Sequence, residues 1–192
     1  VDGYSSFGAS ITYGGAKQTF TCPAPVAIVA DIDIIAAAPK HMTAAGYADL
    51  AAKIPAGAEW MISDFVGTEP IMPEAWHMLQ DYLDDFLADP DGVAAGEAGA
   101  IADLFEGLTL SGFAMQAAKS SRPASCCDHL FSHIMDMTEH KYNGELQSHG
   151  YQVAIGTLTM CAVFDELFKL DLSKIDVDAC VDAWPTLEQE QH

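Results

Sequence analysis

The stretch PVAIVADIDIIAAAPKHMTAAGYADLAAKI, from Pro25 to Ile54, decides how the chain is read. Its opening is a short apolar, β-branched run that ends at Asp31 and predicts a buried strand, with Asp31 or Asp33 placed to cap the segment after it. From Pro39 the pattern turns helical, and a proline is tolerated at a helix start. The helix is expected to run to Pro55-Ala56-Gly57, whose composition punctuates it. Upstream, residues 1–30 are rich in Gly, Ser and Thr, with β-like patches at SITY and QTFT. Downstream the β signal nearly vanishes.

Further along, AEWMISDFVG reads as a helix, and Pro73 opens another over EAWHMLQDYLDDFLAD. Asp89-Pro90-Asp91-Gly92 is a turn by composition. GAIADLFEGLTLSGFAMQAAK predicts a helix despite Gly107 and Gly112. A further helix is expected from Pro123 to about His140, and YNGELQSHG interrupts the pattern. YQVAIGTLTMCAVFDELFKL is apolar nearly all round, which predicts a central buried helix. Ser173 and the aspartates after Ile175 open one more. The fold class is therefore mainly α, with a small β-containing N-terminal lead and no internal repeat.

Composition narrows the function. The 192 residues include 28 acidic and 8 basic side chains, a formal charge of −20. Nucleic acid and anionic membrane surfaces are excluded as partners, because both need clustered Lys and Arg. Half the residues are hydrophobic, so the chain is globular material. Its five cysteines are odd in number and form no CxxC pair, which favours a reducing cytoplasm. No run of apolar residues is long enough for membrane insertion, and no signal peptide is seen. Opening at Val1 and closing on WPTLEQEQH, the chain reads as a fragment.

The chemistry concentrates in SSRPASCCDHLFSHIMDMTEH, Ser120–His140. His129 and His133 stand four residues apart, on one helical face. His149 opens the next helix. Asp49 is mid-helix among Ala and Gly, a poor helix former whose small neighbours let other segments approach. Asp49 with two histidines makes a three-ligand set for Zn²⁺, Ni²⁺ or Fe²⁺ with open positions. On spacing alone a histidine i, i+4 pair is more often a surface or satisfied core pair. Arg122 is the only arginine in the chain. With Ser121 at a helix start it makes an anion site, Lys53 adding charge, or it is simply a cap and surface ion pair. Cys126 and Cys127 are expected to be buried, inert thiols, since adjacent side chains diverge on a helix.

Taken together, DGYSSFGASI, the Pro25–Ile54 stretch, AEWMISD, SGFAMQAAKSSRPAS…DHLFSH and SHGYQVAIGTL resemble sn-glycerol-1-phosphate dehydrogenases. These belong to the iron-containing alcohol dehydrogenase and dehydroquinate synthase-like superfamily. The resemblance runs in order from Asp2 to about Leu158. It implies that residues 1–30 are the tail of a nucleotide-binding domain whose Rossmann-like part is missing. Residues 31–192 are then a helical metal- and substrate-binding domain, open to truncation at its C-terminal end. It implies one divalent metal, NAD or NADP, and a small phosphorylated substrate, with a homodimer among the expectations. Matched motif by motif, Asp49, His129 and His149 fall on the metal ligands, Asp2 on a catalytic aspartate, and Ser5 and Ser6 on cofactor-lining positions. His133 is assigned a catalytic role, and Lys53, Ser121 and Arg122 the substrate phosphate, on chemistry rather than on a family assignment. The implied reaction is hydride transfer between NAD(P)H and dihydroxyacetone phosphate, the fragment alone being inactive. A glycerol or polyol dehydrogenase and a catalytically silent metal-binding module are the alternatives. Dehydroquinate synthase fits less well, because that branch looks to use Glu at position 49.

Overall fold

The computed structural model describes residues 2–186 and 189. Chain contacts divide it into two compact units, Val1–Met160 and Cys161–His192. The division falls inside the helix His149–Leu167.

The first unit begins with α1 (Asp2–Ser5) and a hairpin, β1 (Gly8–Tyr13) and β2 (Ala16–Thr21), paired antiparallel with Tyr13 opposite Ala16. Gly14 and Gly15 make its two-residue turn, both with positive φ, as the twist of such hairpins requires. These strands cover the expected β patches. The expected strand before Asp31 does not form. Val26 and Val29 are exposed and irregular. Pro23 and Pro25 remove two ladder donors there, and among the described residues no strand pairs with this segment. Asp31 does cap: its carboxylate accepts from the N–H groups of Asp33 and Ile34 at the start of α2 (Ile32–Ala36).

Helices α3 (Lys40–Ala51) and α4 (Lys53–Phe65) come next, broken at Ala52 rather than at Pro55-Ala56-Gly57. Pro55 is the third residue of α4, where an N–H has no intrahelical partner, so the proline costs the helix little. The expected single helix after Pro73 is instead α5 (Pro73–Leu79), a 3₁₀ turn (Gln80–Tyr82) and α6 (Leu83–Phe86). Asp89-Pro90 starts α7 (Pro90–Ala95) rather than a turn: Asp89 caps Gly92 N–H at 2.8 Å, and Pro90 takes the first helical position.

Then come α8 (Ala98–Ala118), α9 (Cys127–Met137) and a two-residue-strand hairpin, β3 (Lys141–Tyr142) with β4 (Glu145–Leu146). They are succeeded by α10 (His149–Leu167), a 3₁₀ turn (Leu172–Lys174) and α11 (Val177–Asp182). The predicted start of α9 at Pro123 is early by four residues, residues 122–124 forming a turn.

The centre of the first unit is α8, not α10. Helices α1, α2, α3, α5, α6 and α7 all pack on α8, whose Ala, Gly and Ser positions admit neighbours from several sides. Its Ile101, Leu104 and Leu108 join Leu50, Leu79, Leu83 and Val93 in the main core. A smaller cluster joins Trp60, Ala75 and Ala114. Each large aliphatic side chain so buried contributes roughly 1.5–3 kcal/mol. On α10, by contrast, Ile155 and Leu158 are half or more exposed. A helix apolar all round carries no signal of which side is covered.

What α10 does bury is backbone contact. A Cβ on Gly150 would stand 2.1 Å from the Ala45 carbonyl oxygen of α3, and one on Gly156 2.1 Å from the Asp128 carbonyl oxygen of α9. Gly156→Ala is therefore expected to destabilise by about 1–3 kcal/mol, overpacking outweighing better helix propensity. Gly99→Ala on α8, with open space around it, is expected to be neutral or stabilising by up to about 1 kcal/mol. Urea unfolding of the two variants checks the contrast. Equal effects would disprove the close packing of α10.

Candidate metal centre

Asp49 lies near the end of α3, His129 in the first turn of α9 and His149 at the start of α10. The two glycine contacts press α10 against α3 and α9, which brings the three together. His129 Nε2 is 3.4 Å from Asp49 Oδ1, and His149 Nε2 is 4.0 Å from the same oxygen. The rings meet edge-on with centroids 5.2 Å apart. Asp49 and His129 are buried, and His149 is half exposed at the cleft.

The donor set fits a divalent cation. Ligand atoms held about 2.0–2.2 Å from a tetrahedral ion stand roughly 3.3–3.6 Å apart, near the separations found. Each imidazole is also oriented from behind. His129 Nδ1 pairs with Asp128 Oδ2, and Asp128 Oδ1 accepts from Cys126 N–H at 3.2 Å. Ser132 donates to Gln152 Oε1 at 2.7 Å, so its oxygen is left to accept from His149 Nδ1–H at 2.9 Å. With Nδ1 donating to its partner on both rings, each Nε2 is the atom left to ligate a cation beside Asp49. Ser132 and Gln152 escaped the sequence reading. Each stands three residues after a candidate ligand histidine, a spacing that signals them.

Burial raises the Asp49 carboxyl, but the Lys53 ammonium and both imidazoles override it and hold it well below the ordinary carboxylate range. Burial lowers His129, and its bonds to Asp128 and Asp49 outweigh that, raising it above 6.5. His133 is lowered by burial, Lys17 and His129, so it is neutral at pH 7.

The centre opens into a cleft of about 520 Å³ lined by His129, His133 and His149 with Ser6, Ser121 and Lys17. Ser5 turns away: its hydroxyl donates to Thr109 O on α8. The Asp2 side chain lies outside the described residues. Neither Lys53 nor Arg122, both expected at the substrate phosphate, is among the residues that line the cleft. Lys53 is fully buried, its Nζ 3.3 Å from Asp49 Oδ1. Arg122 donates to the Glu59 carbonyl at 3.1 Å, to Ser63 Oγ and to Cys126 Sγ, and its Nε stands 3.2 Å from Glu69. The sequence reading missed Lys17, the cation that does face the cleft, paired with Asp136 at 2.6 Å. It sits on a hairpin remote in sequence from every other cleft residue of α9 and α10.

Fold and site thus define a helical unit in which three ligand-type side chains, able to hold a metal ion, converge at an open cleft. A family described as iron-containing alcohol dehydrogenase matches residues 1–39. Relatives named glycerol-1-phosphate dehydrogenase [NAD(P)+] are 35% identical in Bacillus licheniformis, over 90% of this chain and 43% of theirs. The Halalkalibacterium halodurans relative is 35% identical over 85% of this chain and 41% of its own. The Pyrococcus horikoshii relative is 35% identical over 83% and 45%. The chain is similar to these relatives over most of its own length, and it spans less than half of theirs.

His129 also makes the metal-free chain pH-dependent. Its folded value is raised, so its stabilisation is full below pH 6.5 and is lost as pH rises through that value. His133 acts oppositely, its contribution being present above 6.5 and lost as pH falls through its lowered value. In chelator, the excess melting temperature of the natural chain over His129→Asn is expected to shrink as pH is raised from below 6.5 to above it. A constant or growing excess would contradict the assignment.

Proposed function

We propose that this chain carries the metal- and substrate-binding part of an NAD(P)-linked dehydrogenase that reduces dihydroxyacetone phosphate to sn-glycerol 1-phosphate. The observation that carries the reading is the convergence of Asp49, His129 and His149 below a cleft that holds a cation and hydroxyls. Its support outside the chain is the activity for which the relatives are named. In this proposal Asp49, His129 and His149 hold one divalent ion, Zn²⁺, Ni²⁺ or Fe²⁺. Bound there, the ion supplies Lewis acidity for a ketone oxygen.

The remaining roles belong to the chain's own residues. Asp128, Ser132 and Gln152 keep both imidazoles aimed. Lys17 and Ser121 take the substrate phosphate, which fixes C2 against the metal centre. Hydride reaches C2 from the nicotinamide, and the C2 oxygen takes a proton that His133, neutral and on the cleft wall, relays from solvent. Ser6 and the Asp2 mouth border the nicotinamide, residues 1–30 being the edge of the nucleotide-binding domain. Residues 31–192 form the helical domain. A cytoplasmic site of action agrees with the five free cysteines, and among the described residues no helix is long and apolar enough to cross a membrane.

The test is a chimera with this chain grafted in place of the matching part of the Bacillus subtilis relative. It is expected to oxidise NAD(P)H with dihydroxyacetone phosphate and to prefer that substrate over unphosphorylated dihydroxyacetone. Lys17→Ala should raise KM for the phosphorylated substrate about 10–100-fold, the loss of one charge-assisted contact, with KM for NADPH unchanged. A metal-loaded chimera indifferent to the phosphate would point to a polyol dehydrogenase instead. One that transfers no hydride would sink the proposal.

A further inference from the structure

A second convergence of ligand-type side chains lies where α4 meets the start of α9. A carboxylate oxygen of Glu59 and the sulfurs of Cys126 and Cys127 all lie within 4.8 Å of one another. We propose that Glu59, Cys126 and Cys127 form a second cation site, selective for thiophilic divalent ions such as Zn²⁺ or Cd²⁺. The inference stands apart from the hydride-transfer reading and uses none of its ligands.

Adjacent cysteines were expected to diverge, as they do within a helix. Cys126 escapes that constraint because it is the residue before α9, with φ −146° and ψ −138°. Its side chain leaves the helical spiral and turns to the same side as that of Cys127, the first helical residue. The third ligand is non-local, Glu59 coming from the middle of α4.

The carboxylate is set as a ligand should be. Cys127 N–H donates to Glu59 Oε2 at 3.2 Å and fixes the group. The other oxygen, Oε1, is buried, and among the described residues no N–H or O–H donor reaches it. Both thiols hydrogen-bond the Glu59 carboxylate, so a cation would replace their two protons, and both cysteines are partly exposed.

Charge agrees with this assignment. A divalent ion with two thiolates and one carboxylate sums to −1, and the Arg122 guanidinium, shared with Glu69, donates to Cys126 Sγ and offsets part of that charge. An N–H donor behind a metal-bound sulfur is a familiar outer-layer contact. Binding exchanges two thiol protons for the ion, so two protons are released per cation. Two sulfurs and one oxygen favour soft ions, whereas the Asp49 centre offers one oxygen and two nitrogens. This also gives the lone arginine its position: it is held at the thiols, not at the cleft.

The experiment uses the full chain with Cys22, Cys161 and Cys180 replaced by serine, to silence the exposed thiols. Cd²⁺ is titrated while thiolate-to-metal charge-transfer absorption and proton release are read. Two ions per chain are expected, one of them with the charge-transfer band and two protons. Asp49→Asn should abolish the other ion and leave the band. Cys126→Ser, Cys126→Ala and Cys127→Ser, each checked for folding by circular dichroism, should each remove the band or weaken the site at least about tenfold. Glu59→Gln should raise its dissociation constant about 10–100-fold. A single bound ion without the band, or a band that survives loss of both Cys126 and Cys127, would overturn the proposal.

Discussion

The approach of α10 to the backbones of α3 and α9 is the constraint on which the rest depends. At Gly150 and Gly156 there is room for hydrogen but not for a methyl group. That closeness carries His149 to within 4.0 Å of an aspartate a hundred residues earlier in the chain. A helix displaced by the thickness of one side chain would leave the imidazole out of reach of any ion held by Asp49 and His129. The centre is thus built by packing first and chemistry second.

Electrostatics then refines what packing assembles. Asp49 is a buried carboxylate that stays ionised because Lys53 and two imidazoles surround it. Removing one partner of such a group leaves a charge uncompensated, which is far costlier than the pair is worth. The hydrogen bonds behind each imidazole settle the tautomer, so both Nε2 atoms face one point. Neither feature needs a long-range field. The strongly acidic exterior and the cationic side chains at Lys17, Lys53 and Arg122 are separate matters, each lysine or arginine being tied to a local carboxylate.

Much of this was legible in the sequence, and the failures have causes. Periodicity and capping residues showed the helices, and the Asp31 cap and the hairpin patches formed where expected. The break between α3 and α4 was misplaced, because a proline in a first helical turn looks the same in sequence as one that ends a helix. The centrality of α8 over α10 was hidden for a related reason: its glycines weaken a helix by propensity while raising its packing value. At the site, residue types and one i, i+4 pair suggested histidine ligands, but spacing could not say whether His133 or His149 joined His129. The family resemblance made that choice, and the structure brings His149 beside Asp49. Lys17 could not be found from spacing at all, since only the fold of the hairpin onto α9 brings it to the cleft.

That hairpin has a consequence of its own. Its residues are almost all exposed, and two strands alone are marginal in water. It is fastened to α9 by the ion pair of Lys17 with Asp136, both of which also line the cleft. One wall of the cavity is therefore a two-stranded hairpin tied by an ion pair, while α9 and the start of α10 supply another. An anion entering the cavity competes with Asp136 for Lys17, so the contact that ties the hairpin to the helix is the same one a guest would draw on.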